Sequence, residues 1–115
     1  MTKKELQMIT DTLCSKYNLP KIKVEVKHTR QGRARKKTNK ITIPKFAIGY
    51  GYSFSLYYII HEVCHFIIGY GHRQDFKNKE IEILKDYNLL PIYSRAYAKQ
   101  LYDLSGNLLW DKKRR

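Results

Sequence analysis

His61-Glu62-Val63-Cys64-His65 is followed by His72, so three of the four histidines fall within one stretch of twelve residues. The surrounding run from Leu56 to Ile68 is otherwise almost entirely apolar. Ionisable groups in an apolar helix are costly to bury unpaired, and a metal ion would pair them. Residues four apart on a helix share a face, with Cβ atoms about 6 Å apart. His61 and His65 can therefore point at one ion. Glu62 is turned by about 100° from His61, so it cannot ligate beside them but can reach a water on the ion. A third ligand has to come from beyond the helix. His72, after Gly69 and Gly71, is placed for that role; Glu80 is the alternative, as a ligand or as a residue holding one. Three protein ligands leave the fourth position of a tetrahedral zinc open, as catalytic sites do. A glutamate beside that position can act as general base. This is the H-E-x-x-H arrangement of zinc peptidases.

Outward from the motif, the spacing predicts a helix from about Ser55 to Ile68, capped by Ser53 or Ser55 and stopped at Gly69 and Gly71. It is too short to span a bilayer and reads as a core helix. A helix from about Lys3 to Tyr17 starts on a capping box, Thr2 with Glu5, and shows Leu6, Ile9, Leu13 and Tyr17 at helical spacing. A further helix is expected from Arg73 to Asn88, with Phe76, Ile83, Leu84 and Tyr87 on one face and Glu80 on that same face. Lys21–Lys27 alternates as a half-buried strand. Lys40-Ile41-Thr42-Ile43 is a short strand stopped by Pro44. The intervening segment, His28 to Asn39, reads as a loop, so the two strands are expected to pair antiparallel. Phe46–Tyr52 reads as a Gly-rich connection. Ser105-Gly106-Asn107 between two apolar runs predicts a C-terminal hairpin within 93–110. The fold class expected is α+β: three helices, a short antiparallel sheet and a C-terminal β-hairpin, in a single domain over residues 1–115.

The chain has 115 residues, a size typical of one domain, and a net charge of +13. Its apolar content excludes a disordered chain. Basic residues cluster at Arg30, Arg33, Arg35, Lys36, Lys37 and Lys40, and again at Lys112, Lys113, Arg114 and Arg115. Such clustering predicts contact with nucleic acid. The first residues lack the apolar core of a secretory signal, and the two cysteines, Cys14 and Cys64, give no bridge framework. Reduced thiols in the cytoplasm are the expectation. Cys64 points off the ligand face and reads as a packed core thiol. Tyr93 or Tyr97 is a candidate donor to an oxyanion, and Trp110 a core residue or a base-stacking one.

Gly32, the Ile41-Thr42-Ile43 strand, the His61–His65 motif and His72-Arg73-Gln74-Asp75-Phe76 occur in an order that resembles the SprT-like zinc metallopeptidases. That zincin-like family includes the Spartan-type DNA–protein crosslink proteases. The resemblance covers about residues 1–90. It implies zinc held by His61, His65 and His72, Glu62 as base, and a protein substrate linked to DNA, with DNA favoured over RNA as the nucleic-acid partner. It also implies that Lys40–Ile43 is the edge strand that takes the substrate. The chain departs from many relatives in lacking zinc-ribbon cysteines between Tyr93 and Trp110. The run His65–His72 is also similar to the metal site of the zinc endoribonucleases of ribosomal RNA maturation. Those typically have glycine where this chain has Glu62, which favours peptide hydrolysis. A third reading is a non-catalytic nucleic-acid-binding module with a structural zinc, which would need a fourth ligand.

Overall fold

The computed structural model describes residues 1–114; Arg115, the last of the C-terminal basic run, lies outside the described residues. The capping box forms as the sequence predicts. Thr2 Oγ1 accepts from the Glu5 amide at 3.1 Å and Glu5 Oε1 accepts from the Thr2 amide at 3.0 Å, which starts α1 (Lys3–Lys16). Leu6, Thr10, Leu13 and Cys14 are its buried face; Ile9 and Tyr17 are only half-buried.

The strands β1 (Lys23–Lys27), β2 (Arg33–Arg35) and β3 (Lys40–Pro44) form one sheet in the order β1-β3-β2. Here the structure corrects the expected antiparallel pairing. β1 runs parallel to β3, with Val24 opposite Ile41. The segment read as a loop contains β2, which pairs antiparallel with β3, Arg33 opposite Thr42 and Arg35 opposite Lys40. The turn between them closes on Asn39 at φ 51°, a left-handed conformation that asparagine tolerates. The chain leaving β1 crosses to the far side of β3 before turning back, so β1 and β3 end up pointing the same way. A second correction follows: the Lys40–Ile43 strand is central, not an edge. Its position explains why Ile41 and Ile43 are fully buried and even Thr42 is buried.

Phe46–Tyr52, expected as a connection, begins within a short helix, α2 (Lys45–Gly49). The chain therefore has four α-helices among the described residues, not three. The motif helix, α3 (Tyr52–Ile68), begins three residues earlier than expected, after Gly51 at φ 102° and with no side-chain cap. Ser55 Oγ instead donates within the turn before it, to Gly51 O at 2.8 Å, and to Ala47 O at 3.0 Å. Phe54 through Phe66 are all buried. A helix apolar on every face belongs inside the core, and α1, α2, the first sheet and α4 (Gln74–Asp86) surround this one.

The C-terminal element is larger than a hairpin. β4 (Leu90–Ser94), β5 (Tyr97–Tyr102) and β6 (Leu108–Asp111) form an antiparallel sheet in that order. The predicted turn is there: Asp103 Oδ1 accepts from the amides of Ser105 at 3.0 Å and Asn107 at 2.8 Å, with Gly106 at φ 88°. This sheet packs on α3 through the Phe54 and Trp110 rings, 4.4 Å between centroids. Tyr57 Oη accepts from the Ala98 amide at 2.9 Å. Trp110 is thus a core residue. The α+β class stands as expected. Cys14 and Cys64 are both free and buried, and no helix among the described residues is long and apolar enough to cross a membrane.

Candidate metal centre

One turn of α3 places His61 and His65 on the same face, and the Gly69–Gly71 turn brings His72 back over them. Their candidate ligand atoms lie within 4.8 Å of one another. His61 Nε2 and His72 Nε2 are 3.1 Å apart. A tetrahedral zinc with bonds of about 2.0–2.1 Å separates its ligand nitrogens by about 3.3 Å, so this pair is already near a shared position. The other ring nitrogens are engaged. His61 Nδ1 donates to Glu80 Oε2 at 2.6 Å, and His65 Nδ1 donates to Gly69 O at 3.0 Å. Each bond leaves Nε2 as the free lone pair, which is the way a second set of contacts orients metal-binding histidines. The three histidines can hold a metal ion, and the donor set suits zinc.

Glu80 is fully buried on α4. The alternative in which Glu80 replaces His72 as ligand does not match this geometry, because both carboxylate oxygens are committed: one to His61, the other to the Tyr93 hydroxyl. In this arrangement Glu80 orients His61, a candidate ligand, through its Nδ1–H. Tyr93, one of the two candidate oxyanion donors, instead commits its hydroxyl to Glu80, a contact from β4 to α4 that no local spacing reveals. Asp75, the other acid near the turn, accepts from the Phe76 amide at 2.8 Å and supplies no fourth ligand.

Glu62 points the other way round the helix, into a cleft of about 400 Å³ lined by Gly32, Arg33, Ala34, Arg35, Glu62, His65, Tyr70 and Tyr97. It is 5% exposed, and among the described residues its carboxylate has no hydrogen-bond partner. Burial pushes its carboxyl up to about 7, opposed by a smaller pull down from His61 and helped by Glu80. Gly32 lets the chain pass: a Cβ there would collide with the Tyr58 ring and stand 3.0 Å from Glu62 Oε2. Burial also lowers His65 to about 4 and lowers His72, so these two rings are neutral, as ligands must be. The Cys64 thiol is pushed up by burial and donates to Phe76 O at 3.6 Å, which marks it as a packing residue.

A proton balance follows. At about pH 6 zinc binding is expected to release a proton from Glu62, because a nearby cation favours the carboxylate. At about pH 8 Glu62 is already ionised and that release disappears. Calorimetry in two buffers of different ionisation enthalpy reads it directly. Release that persists unchanged in Glu62→Gln would assign the proton elsewhere.

The tyrosines around the histidine cluster and Glu62 differ in their hydroxyls. Tyr58 Oη accepts from the Gly32 amide at 2.7 Å, and Tyr93 is bound to Glu80. Tyr97, half-exposed, has its ring 4.8 Å from the His61 ring and 5.5 Å from that of His72. Among the described residues its hydroxyl has no hydrogen-bond partner. Burial, with Glu62 and Glu80 adding, raises its pKa, so it remains a proton donor at neutral pH.

The basic residues separate. Arg30, Arg33 and Arg35 line a groove of about 480 Å³ with Lys27, because Arg33 and Arg35 alternate with the half-buried Ala34. Lys36, Lys37 and Lys40 are not part of it. Lys36 sits over the Tyr70 ring at 5.8 Å, Lys37 lies in the β2–β3 turn, and Lys40 pairs with Lys23 across the sheet. His28 is exposed, 3.1 Å from Lys45 Nζ, away from the centre. Comparison with family models, with characterised proteins and with solved structures finds no match.

Proposed function

We propose that this chain is a zinc metallopeptidase of SprT-like type that cuts protein held near nucleic acid. The observation that carries the reading is Glu62: a buried carboxylate without a partner, opening on a cleft beside three converging imidazoles. A poorly solvated carboxylate without a hydrogen bond is destabilising, and a role as general base accounts for it. His61, His65 and His72 would hold the ion, which when bound supplies Lewis acidity toward a carbonyl and toward water. Glu62 takes the proton from the attacking water and passes it to the leaving amine. Tyr97, with its free hydroxyl, donates to the oxygen that gains charge. The substrate strand lies along β2, the edge beside the cleft, in place of Lys40–Ile43. The groove of Arg30 with Arg33 and Arg35 of that strand brings the peptidase to a phosphate backbone.

A structural-zinc module is disfavoured, since Glu80 and Asp75 are both engaged elsewhere and no fourth ligand closes the site among the described residues. The ribonuclease reading shares the basic groove and is separated by assay. Zinc-loaded protein is incubated with casein and with structured RNA, each with and without DNA. Cleavage of casein, stimulated by DNA and lost at high salt, is the expected result. Cleavage of RNA alone would replace this reading.

A further inference from the structure

The two outer edges of the first sheet are covered differently. On β1 the Gln7 side chain accepts from the Val24 amide and donates to Ile22 O, both at 2.8 Å. Gln7 belongs to α1 and covers the start of that edge. On β2 the cover comes from hydroxyls. The Gly32 amide donates to Tyr58 Oη. Tyr70 Oη donates to Ala34 O at 3.0 Å and accepts from the Lys36 amide at 3.2 Å. One hydroxyl can do both because it is donor and acceptor at once. The carbonyl of Ala34 and the amide of Lys36 flank Arg35, and a strand added to this edge would use that same pair.

Tyr58 is rooted in α3 and buried, whereas Tyr70 is 68% exposed. It sits between Gly69 at φ 119° and Gly71 at φ 100°, conformations that glycine adopts readily. Its base is anchored, since the Gly69 amide donates to His65 O at 3.0 Å and Gly69 O accepts from His65 Nδ1. Tyr70 therefore reaches from the ligand turn to β2 across the cleft that holds Glu62 and His65.

We propose that Tyr70 is a specificity-determining gate on the substrate edge: its hydroxyl occupies Ala34 O and Lys36 N until an extended peptide displaces it. This rests on the peptidase reading above. To displace it, a ligand must offer an N–H and a C=O at strand spacing. An extended polypeptide does so at every turn of the ladder, whereas a DNA backbone offers acceptors only. The gate thus admits unfolded or extended protein segments and leaves nucleic acid to the arginine groove.

The test measures peptide affinity apart from turnover. Zinc-loaded Glu62→Gln protein is titrated with a fluorescein-labelled, unphosphorylated β-casein fragment, with and without the added change Tyr70→Phe. Phenylalanine keeps the ring and removes both hydrogen bonds. The expected result is tighter binding by roughly three- to tenfold, with zinc content unchanged. Equal or weaker binding in the Tyr70→Phe protein overturns the gate, and so does an absence of binding in both. Casein cleavage by the parent chain, alongside equal binding, would leave the peptidase reading standing and the gate refuted. Tighter binding without any cleavage would do the reverse.

Discussion

Glu62→Gln is expected to keep zinc and to lose peptide cleavage by about 10²–10⁴-fold, the usual range for removing a general base. The ligands are untouched by the change, since Glu62 faces the cleft and contacts no imidazole nitrogen through a hydrogen bond among the described residues. Glutamine has nearly the same shape, so the close approach of Gly32 to this side chain is preserved. It also removes a carboxyl that burial holds at about 7. The metal-free variant should therefore be at least as stable as its parent above neutrality. There the folded parent must carry a poorly solvated carboxylate: a raised folded pKa means stability lost as pH rises through it. Zinc content by elemental analysis and casein cleavage are the two measurements. A variant that still cuts would remove Glu62 from the chemistry; one that loses zinc would make Glu62 part of the metal site.

Glu80→Ala is the second large effect, and it acts at a distance from the cleft. Glu80 holds two groups, the His61 Nδ1–H and the Tyr93 hydroxyl. Its loss strands both, at about 1–3 kcal/mol for the buried His61 donor and less for the half-buried Tyr93 hydroxyl. His61 also loses the bond that fixes its tautomer and ring direction. Zinc affinity is expected to fall by about 10–100-fold, read by competition with a chelator, with a lower thermal midpoint in the metal-free state. Glu80→Gln should lie between, because an amide oxygen accepts from one of the two donors and its NH₂ cannot accept from the other. If Glu80→Ala lowered stability and left zinc affinity unchanged, the glutamate would be a packing residue and His61 would be oriented by the helix alone.

Much of this centre was legible in the chain because its parts are local. His61 and His65 share a face by the period of the helix, and Glu62 leaves that face for the same reason. The Gly69–Gly71 turn limits how far His72 can travel. Glu80 stood out as an acid on an apolar stripe, though the stripe could not say whether it met a metal or a histidine. The distinction depends on where α4 lies against α3, and that is decided by Phe76, Ile83 and Leu84 in the core. Tyr70 carried no signal in the sequence, and nothing in the chain chose between Tyr93 and Tyr97 as the oxyanion donor, since ten tyrosines offer no spacing that marks one of them.

The apolar period, the capping box and the motif spacing by themselves determined the main helices, the α+β class and two of the histidines, because these follow from contacts within a few residues. Only the tertiary structure decided the strand order, the parallel pairing of β1 with β3 and the placing of β2 at the edge of the cleft. Strand alternation says which face is buried but not which neighbour supplies the hydrogen bonds. That choice is made by the whole core closing around α3, and it turns two basic residues of a segment read as a loop, Arg33 and Arg35, into one side of the cleft.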